Sequence, residues 1–203
     1  MRAAAIGYSA DMMASVDREL RAHSRLLEIL ARSPSLDGDA PLSQFHESAV
    51  RFLAQVQGWD RVILGNAQGQ IVNTGVPSGV KLPGLVDPAG FHRTIAARKT
   101  IVMDLTGPGP LAPRDPPHIG LRTPVSIHGV DHVLTALIRP EVFERVLQEA
   151  RIKPTWRPFL IDGSNRIISA PRAPSSTGRE AGVATTAASF MPMTVSSLPW
   201  LRR

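Results

Sequence analysis

The side chains best suited to chemistry in this 203-residue sequence are a few polar groups set among apolar, strand-like segments. In His118-Ile-Gly-Leu-Arg-Thr-Pro-Val-Ser-Ile127, Ile119, Leu121, Val125 and Ile127 alternate with His118, Gly120, Arg122, Pro124 and Ser126. That alternation describes a strand with one apolar and one polar face. Arg122 falls on the polar face, and its planar fork of N–H donors suits a carboxylate. Asp104, on the minority face of Ile101–Leu105, suits an ammonium or a hydroxyl, and Asn73 ends an earlier strand pair. With Arg93 and Thr135 they form the candidate ligand-binding set: Asn73, Arg93, Asp104, Arg122 and Thr135. The polar face either lines a pocket roofed by residues 75–98 and the Pro-rich 107–117 loop, or meets solvent with Arg122 solvated or in a salt bridge.

Other chemistries find little support. His128 and His132 flank a turn beside Asp131, and two ring nitrogens with a carboxylate would suit a transition metal. Exposed turn residues are the commoner meaning of that pattern, and no metal or other cofactor is expected. The serine-hydrolase, nucleotide-binding and metalloprotease motifs are missing from the sequence, and no nucleophile–base pair can be named. Gly107-Pro-Gly-Pro110 is rigid rather than phosphate-cradling, because each proline lacks an N–H donor. The chain therefore reads as a binding module and not an enzyme.

Composition narrows the class further. Lys and Arg number 23 against 17 Asp and Glu, a net charge of +6, but the basic residues are dispersed and aromatics make up only 5%. Nucleic acid is not an expected partner, since base-stacking platforms are scarce. There is no cysteine, which removes disulfides, thiol catalysis and Cys-based zinc sites and suits an oxidising compartment. No stretch approaches the roughly 18 consecutive apolar residues of a membrane span, and Met1–Tyr8 lacks the core of a signal peptide. Any membrane anchors are expected outside this chain.

The elements that must position these residues follow from periodicity and punctuation. Ser9 to Arg32 predicts one long helix, with Met13, Val16, Leu20, His23, Leu27 and Leu30 as a heptad-like stripe widened by Met12, Leu26 and Ile29. Ser33-Pro34 ends it. A second helix follows Pro41, with Leu42, Phe45, Ala49, Phe52, Leu53 and Val56 on one side and Gly58 as its stop. A hairpin over 61–74 leads to a Gly/Pro-rich stretch, and Asp87-Pro88 caps a short helix. Strands are expected at 100–105, 118–127 and 131–138, the last two joined by the tight turn His128-Gly129-Val130-Asp131. A helix runs from Pro140 to Ala150. The expected class is α+β, with a five-stranded antiparallel sheet flanked by helices.

The sequence also repeats itself. Trp59-Asp-Arg-Val-Ile-Leu-Gly-Asn-Ala-Gln-Gly-Gln-Ile-Val-Asn73 and Trp156-Arg-Pro-Phe-Leu-Ile-Asp-Gly-Ser-Asn-Arg-Ile-Ile-Ser169 share a layout. Each opens on Trp, turns on a Gly/Asn/Asp/Ser cluster and resumes with β-branched residues, the mark of a hairpin. Two related units in tandem are the reading, the second of them partial, since the tail after Ala170 is rich in Ala, Ser, Thr and Pro.

In order, these pieces resemble the Cache, or tandem PAS-like (PDC), extracytoplasmic sensor domains of bacterial membrane receptors, most of all sensor histidine kinases. The resemblance rests on the long helix ending Leu30-Ala-Arg-Ser-Pro34, the Trp59…Asn73-Thr74 hairpin and Pro77-Ser-Gly79-Val-Lys-Leu-Pro83. It continues through Ile101–Leu105, Thr123-Pro-Val125, Val133–Pro140 and Phe159-Leu-Ile-Asp162…Ile167-Ile-Ser-Ala170. It implies a long N-terminal helix and connection over 1–40, a membrane-distal PAS-like sensing domain over 41–152, and a partial membrane-proximal unit over 153–203. It further implies a periplasmic input domain for a small ligand, an organic anion or amino acid, signalling by a ligand-dependent conformational shift. The other reading is a structural or dimerisation module that holds no ligand. A weak parallel homodimer through the N-terminal helix is expected, with Met13, Val16, Leu20, Leu27 and Leu30 as its seam.

Overall fold

The computed structural model describes residues 2–36, 40–107, 110, 114, 116–149, 156–170 and 189–194. The chain divides into two compact units, Glu19–Pro140 on the one hand and Met1–Arg18 with Glu141–Arg203 on the other. Helix α1, Arg2–Ala31, contributes to both. It begins earlier than Ser9 because Arg2-Ala-Ala-Ala5 are strong helix formers, and it stops where Ser33 precedes Pro34.

In the larger unit, α2 (Leu42–Leu53) is followed by strands β1 (Trp59–Gly65) and β2 (Gln70–Asn73). Helix α3 (Pro88–Ala97) and strands β3 (Ile101–Thr106), β4 (His118–Ile127) and β5 (Val130–Ile138) complete it. The strands form one sheet in the order β2-β1-β5-β4-β3, with every neighbouring pair antiparallel. This is the α+β architecture expected from the sequence. Positive φ at His128 (50°) and Gly129 (76°) gives the β4–β5 turn the twist that a two-residue hairpin needs.

Register sorts the sheet into two faces. Val62, Ala136 and Leu121 lie in one cross-strand row, Leu64, Leu134 and Thr123 in the next, and Trp59, Ile138 and Ile119 in a third. All nine are buried, so this face is the core. Helix α1 is tied to the same unit by Trp59 Nε1 donating to His23 Nδ1 at 2.9 Å and Thr100 Oγ1 donating to Glu28 Oε1 at 2.8 Å. Leu20, Leu27, Phe45 and Ala49 are fully buried, and each large apolar side chain removed from water contributes roughly 1.5–3 kcal/mol.

This packing changes the reading of the helical stripe. Val16, Leu20, Leu27 and Leu30 are buried within the chain and Met13 is half-buried, so they do not form an open seam for a second copy. The outward face of α1 carries Arg18, Arg21, Ala22, Arg25 and Ile29. His23, the polar member of the stripe, is buried and hydrogen-bonded. On α2, Leu42 and Val50 face outward, and the helix ends at Leu53 rather than running on to Gly58.

The second unit holds strands β6 (Trp156–Ile161), β7 (Ile167–Ser169) and β8 (Ser189–Thr194) in the order β7-β6-β8. The β6–β7 pair is the expected second hairpin, whereas β8 joins β6 in parallel from a tail whose weak periodicity did not predict a strand. Helix α4 (Glu141–Glu149) packs on β6 and β7, and its Phe143 and Leu147 are buried. It therefore groups with this second sheet, unlike the expected boundary after residue 152. The two hairpins share their turn chemistry. Asn66 Oδ1 accepts from the amides of Gln68 and Gly69, and Asp162 Oδ1 from those of Ser164 and Arg166.

Candidate ligand-binding site

The face of the five-stranded sheet opposite the core bounds a cavity of about 300 Å³. Its floor is a single cross-strand row. Asn73 lies opposite Ile63, Ile63 opposite Thr135, and Thr135 opposite Arg122, and all four line the cavity. Residues directly opposite share a face, so the alternation along each strand delivers these four side chains to one side. Leu137 and Val133 extend the floor on β5, and His118 and Thr106, paired across β4 and β3, close one side of it. A β-bulge between Trp59 and Arg61 adds one residue to β1 opposite Leu137. A bulge re-aims side chains, and here Arg61 lines the cavity while Asp60 sits beside it, its Oδ2 accepting from Arg61 Nε at 2.7 Å.

The roof comes from the segment before α3. Leu85, Val86 and Asp87 line the cavity with Phe91 from the first turn of the helix, and Gly107 and Pro110 contribute from the other side. The roof is anchored to the β1–β2 turn, where Gln70 N donates to Pro83 O at 3.1 Å and Gly69 bridges to Gly84. A Cβ at Gly69 would stand 2.7 Å from Gly84 Cα and 2.8 Å from Pro83 O, so this close approach needs glycine.

Floor and roof meet at one ion pair. Arg122 Nη1 donates to Asp87 Oδ2 at 2.8 Å, and Asp87 Oδ1 accepts the Gly90 amide at 2.9 Å as the N-cap of α3. Desolvation pushes the Asp87 carboxyl up, but the Gly90 amide and the Arg122 and Arg93 charges outweigh it and hold it below 3.8. Burial pulls the Arg122 guanidinium down, with Asp87 opposing; a guanidinium remains charged nonetheless. Arg122 Nε and His118 Nε2 are buried without a hydrogen-bond partner among the described residues, the latter 3.5 Å from Asp60 Oδ2.

Of the five residues proposed from sequence, the structure brings Asn73, Arg122 and Thr135 together on the cavity floor. Arg93 and Asp104 are exposed and do not line it. Arg93 stands on the outward side of α3, though its charge still acts on Asp87 and Arg122. Asp104 falls in an irregularity between Val102 and Leu105 that breaks the β3–β4 register and turns it outward. The carboxylate facing Arg122 is Asp87, which the sequence identified only as a helix cap. Gln70, Arg61 and Phe91 were also missed as lining residues, and nothing local marks them out. His132 Nδ1 lies 2.9 Å from Val130 O, and no group of three or more potential metal ligands occurs among the described residues.

A second cavity, about 170 Å³, lies between α2 and the 77–82 segment in the same unit. His46 and Asn73 are among its lining residues, and His46 Nε2 lies 3.0 Å from Val76 O.

With this geometry, the chain has the fold of the ligand-binding sensor domains of chemoreceptors: a long N-terminal helix and a five-stranded antiparallel sheet with flanking helices. It is similar to the sensory domain of the Campylobacter jejuni chemoreceptor Tlp3 with isoleucine bound (TM-score 0.61, 16% identity, covering 81% of this chain and 68% of that one). The Tlp3 ligand-binding domain in complex with L-valine aligns similarly, with TM-score 0.59, 17% identity, and the same 81% and 68% coverage. No protein-family model and no curated protein matches the sequence. None of the described helices is long and apolar enough to cross a membrane.

Proposed function

We propose that this chain is the small-molecule-sensing input domain of a transmembrane signalling receptor, placed on the extracytoplasmic side of the membrane. The observation that carries the reading is the cavity, whose floor and roof bring convergent polar groups around an apolar interior, as small-molecule sites do. The fold shared with the Tlp3 domains, solved with isoleucine or valine, supports it. The domain binds and does not catalyse. Its output module, a histidine kinase in this reading, is a separate part of the receptor.

The mechanism is a shift of population. A ligand touching both the sheet and the 85–91 roof favours the closed arrangement, and the bias is limited to its differential affinity for the two arrangements. In the receptor we propose weak parallel pairing of two copies. The outward face of α1, with Arg18, Arg21 and Arg25, sets like charges against one another and keeps that pairing weak.

A thermal-shift screen of carboxylates, amino acids and amines tests the reading. A compound at about 100 times its dissociation constant adds roughly 2.7 kcal/mol to stability. Absence of a shift with every compound would return the domain to a purely structural role, and shifts that survive Arg122→Met would place the ligand away from this cavity floor.

A further inference from the structure

Resting on the reading of this cavity as a sensor site, we infer that it selects an elongated aliphatic ligand with a hydrogen-bonding group at each end, one held at Arg122 and the other at His118. The strand register places the two anchors. His118 and Arg122 stand on the same face of β4, and both line the cavity. At about 3.3 Å per residue their backbones are separated by roughly 13 Å along the strand. Midway between them Gly120 is paired with Leu137, which lines the same cavity, and Leu85 and Phe91 line it from the roof. The site therefore runs from one polar end through an apolar middle to a second polar end.

Each anchor holds a nitrogen in need of a partner. Arg122 Nε and His118 Nε2 are buried without a hydrogen bond among the described residues. Buried polar groups are nearly always paired, and an exception in the wall of a cavity points to a group that arrives with the ligand. Arg122 Nε always carries a proton, and Asp60 Oδ2, 3.5 Å from His118 Nε2, favours the tautomer with its proton on that nitrogen. Charge does not single out either end. Arg122 already faces Asp87 through Nη1, and Arg61 faces Asp60 through Nε. Selection falls instead on the spacing of the ligand's hydrogen-bonding groups. A hydrocarbon tail with no polar end would leave His118 Nε2 buried and unpartnered, which disfavours it.

Matched carboxylates of increasing length test this by calorimetric titration of the full chain. The sets are butyrate with succinate, hexanoate with adipate, and octanoate with suberate, each joined by the ω-hydroxy derivative. A second polar end that finds no partner weakens binding to an apolar wall, so the sign of the difference is diagnostic. In one of the longer sets a two-ended member is expected to bind about tenfold or more tightly than its plain carboxylate, while succinate gains little over butyrate. In His118→Phe that preference should vanish with the plain carboxylates unaffected, and His118→Gln, which keeps a side-chain donor, should retain part of it. Should either variant fail to fold, the wild-type series decides alone. Plain carboxylates that bind as tightly as their two-ended partners at every length, or a preference that survives His118→Phe, would overturn the inference and leave the sensor reading intact. If no member of any set binds, the inference fails, and if the wider screen is also silent the sensor reading fails with it.

Discussion

The indole N–H of Trp59 donates to Nδ1 of His23 across 2.9 Å, joining the first residue of the sheet to the C-terminal third of the long helix. Nδ1 must then be unprotonated, which places the remaining ring proton on Nε2, 3.2 Å from Glu19 Oε1. Protonating the ring would destroy the bond to Trp59.

A pH dependence follows. Burial lowers the His23 pKa below 6.5, with the Glu19 carboxylate opposing only in part. The folded state then binds fewer protons than the unfolded chain between the depressed folded value and 6.5, so stability rises with pH in that window. Denaturant midpoints are expected to fall as pH drops through and below 6.5, and His23→Gln should flatten this part of the profile. An unchanged slope in that variant would assign the dependence to other groups.

Removing the indole donor has its own cost. Trp59→Phe leaves His23 Nδ1 buried without a partner, and about 1–3 kcal/mol of stability should be lost in addition to any change in packing. Chemical denaturation of the two variants and their double mutant would measure the coupling, and strict additivity would show that the bond contributes nothing.

Gly90 is the point where roof and floor have no spare room. A Cβ there would collide with Asp87 Oδ2 and Arg122 Nη1, because the ion pair lies against the first turn of α3. Gly90→Ala is expected to force the pair apart, destabilise the domain by about 1–3 kcal/mol and weaken ligand binding. Wild-type stability and affinity in Gly90→Ala would mean that the Asp87–Arg122 contact is dispensable.

In the second unit, the Asp162 carboxylate is 1% exposed and holds its turn through the Ser164 and Arg166 amides and the Arg166 guanidinium. Asp162→Ala leaves these donors without their acceptor and should cost about 1–3 kcal/mol. Hydrogen exchange should locate the loss in β6 and β7. Protection lost equally across the five-stranded sheet would instead make the two units one cooperative block.

The burial of α1 bears on assembly. Cysteines introduced at Leu20 or Leu27 should not crosslink two copies in a membrane-bound receptor, because those side chains are fully covered by their own chain. A cysteine at the exposed Ile29 should do so if pairing uses the outward face. Efficient crosslinking at Leu20 would restore the apolar seam.

Much of the fold was legible because its signals are local. Alternation along 118–127 specified a two-faced strand, Asn66 and Asp162 supplied their turns from their own side chains, and Asp87-Pro88 opened α3 as cap and first helical residue. These depend on contacts within a few residues, where steric and hydrogen-bond rules act without knowledge of the rest of the chain. The same rules were silent about β8, whose pairing with β6 is parallel and distant.

The site divides along the same line. Local alternation alone puts Arg122 on the polar face of a strand, and with it shows which side of the sheet could hold a ligand. Which carboxylate meets that guanidinium is settled by long-range packing. Asp104, on the neighbouring strand, is turned out by a break in register, while Asp87, 35 positions away, is carried in by the N-terminus of α3. It also decided that the α1 stripe packs inward. An apolar helix face is equally satisfied by its own domain or by a second copy, and the choice depends on surfaces that exist only once the sheet has formed.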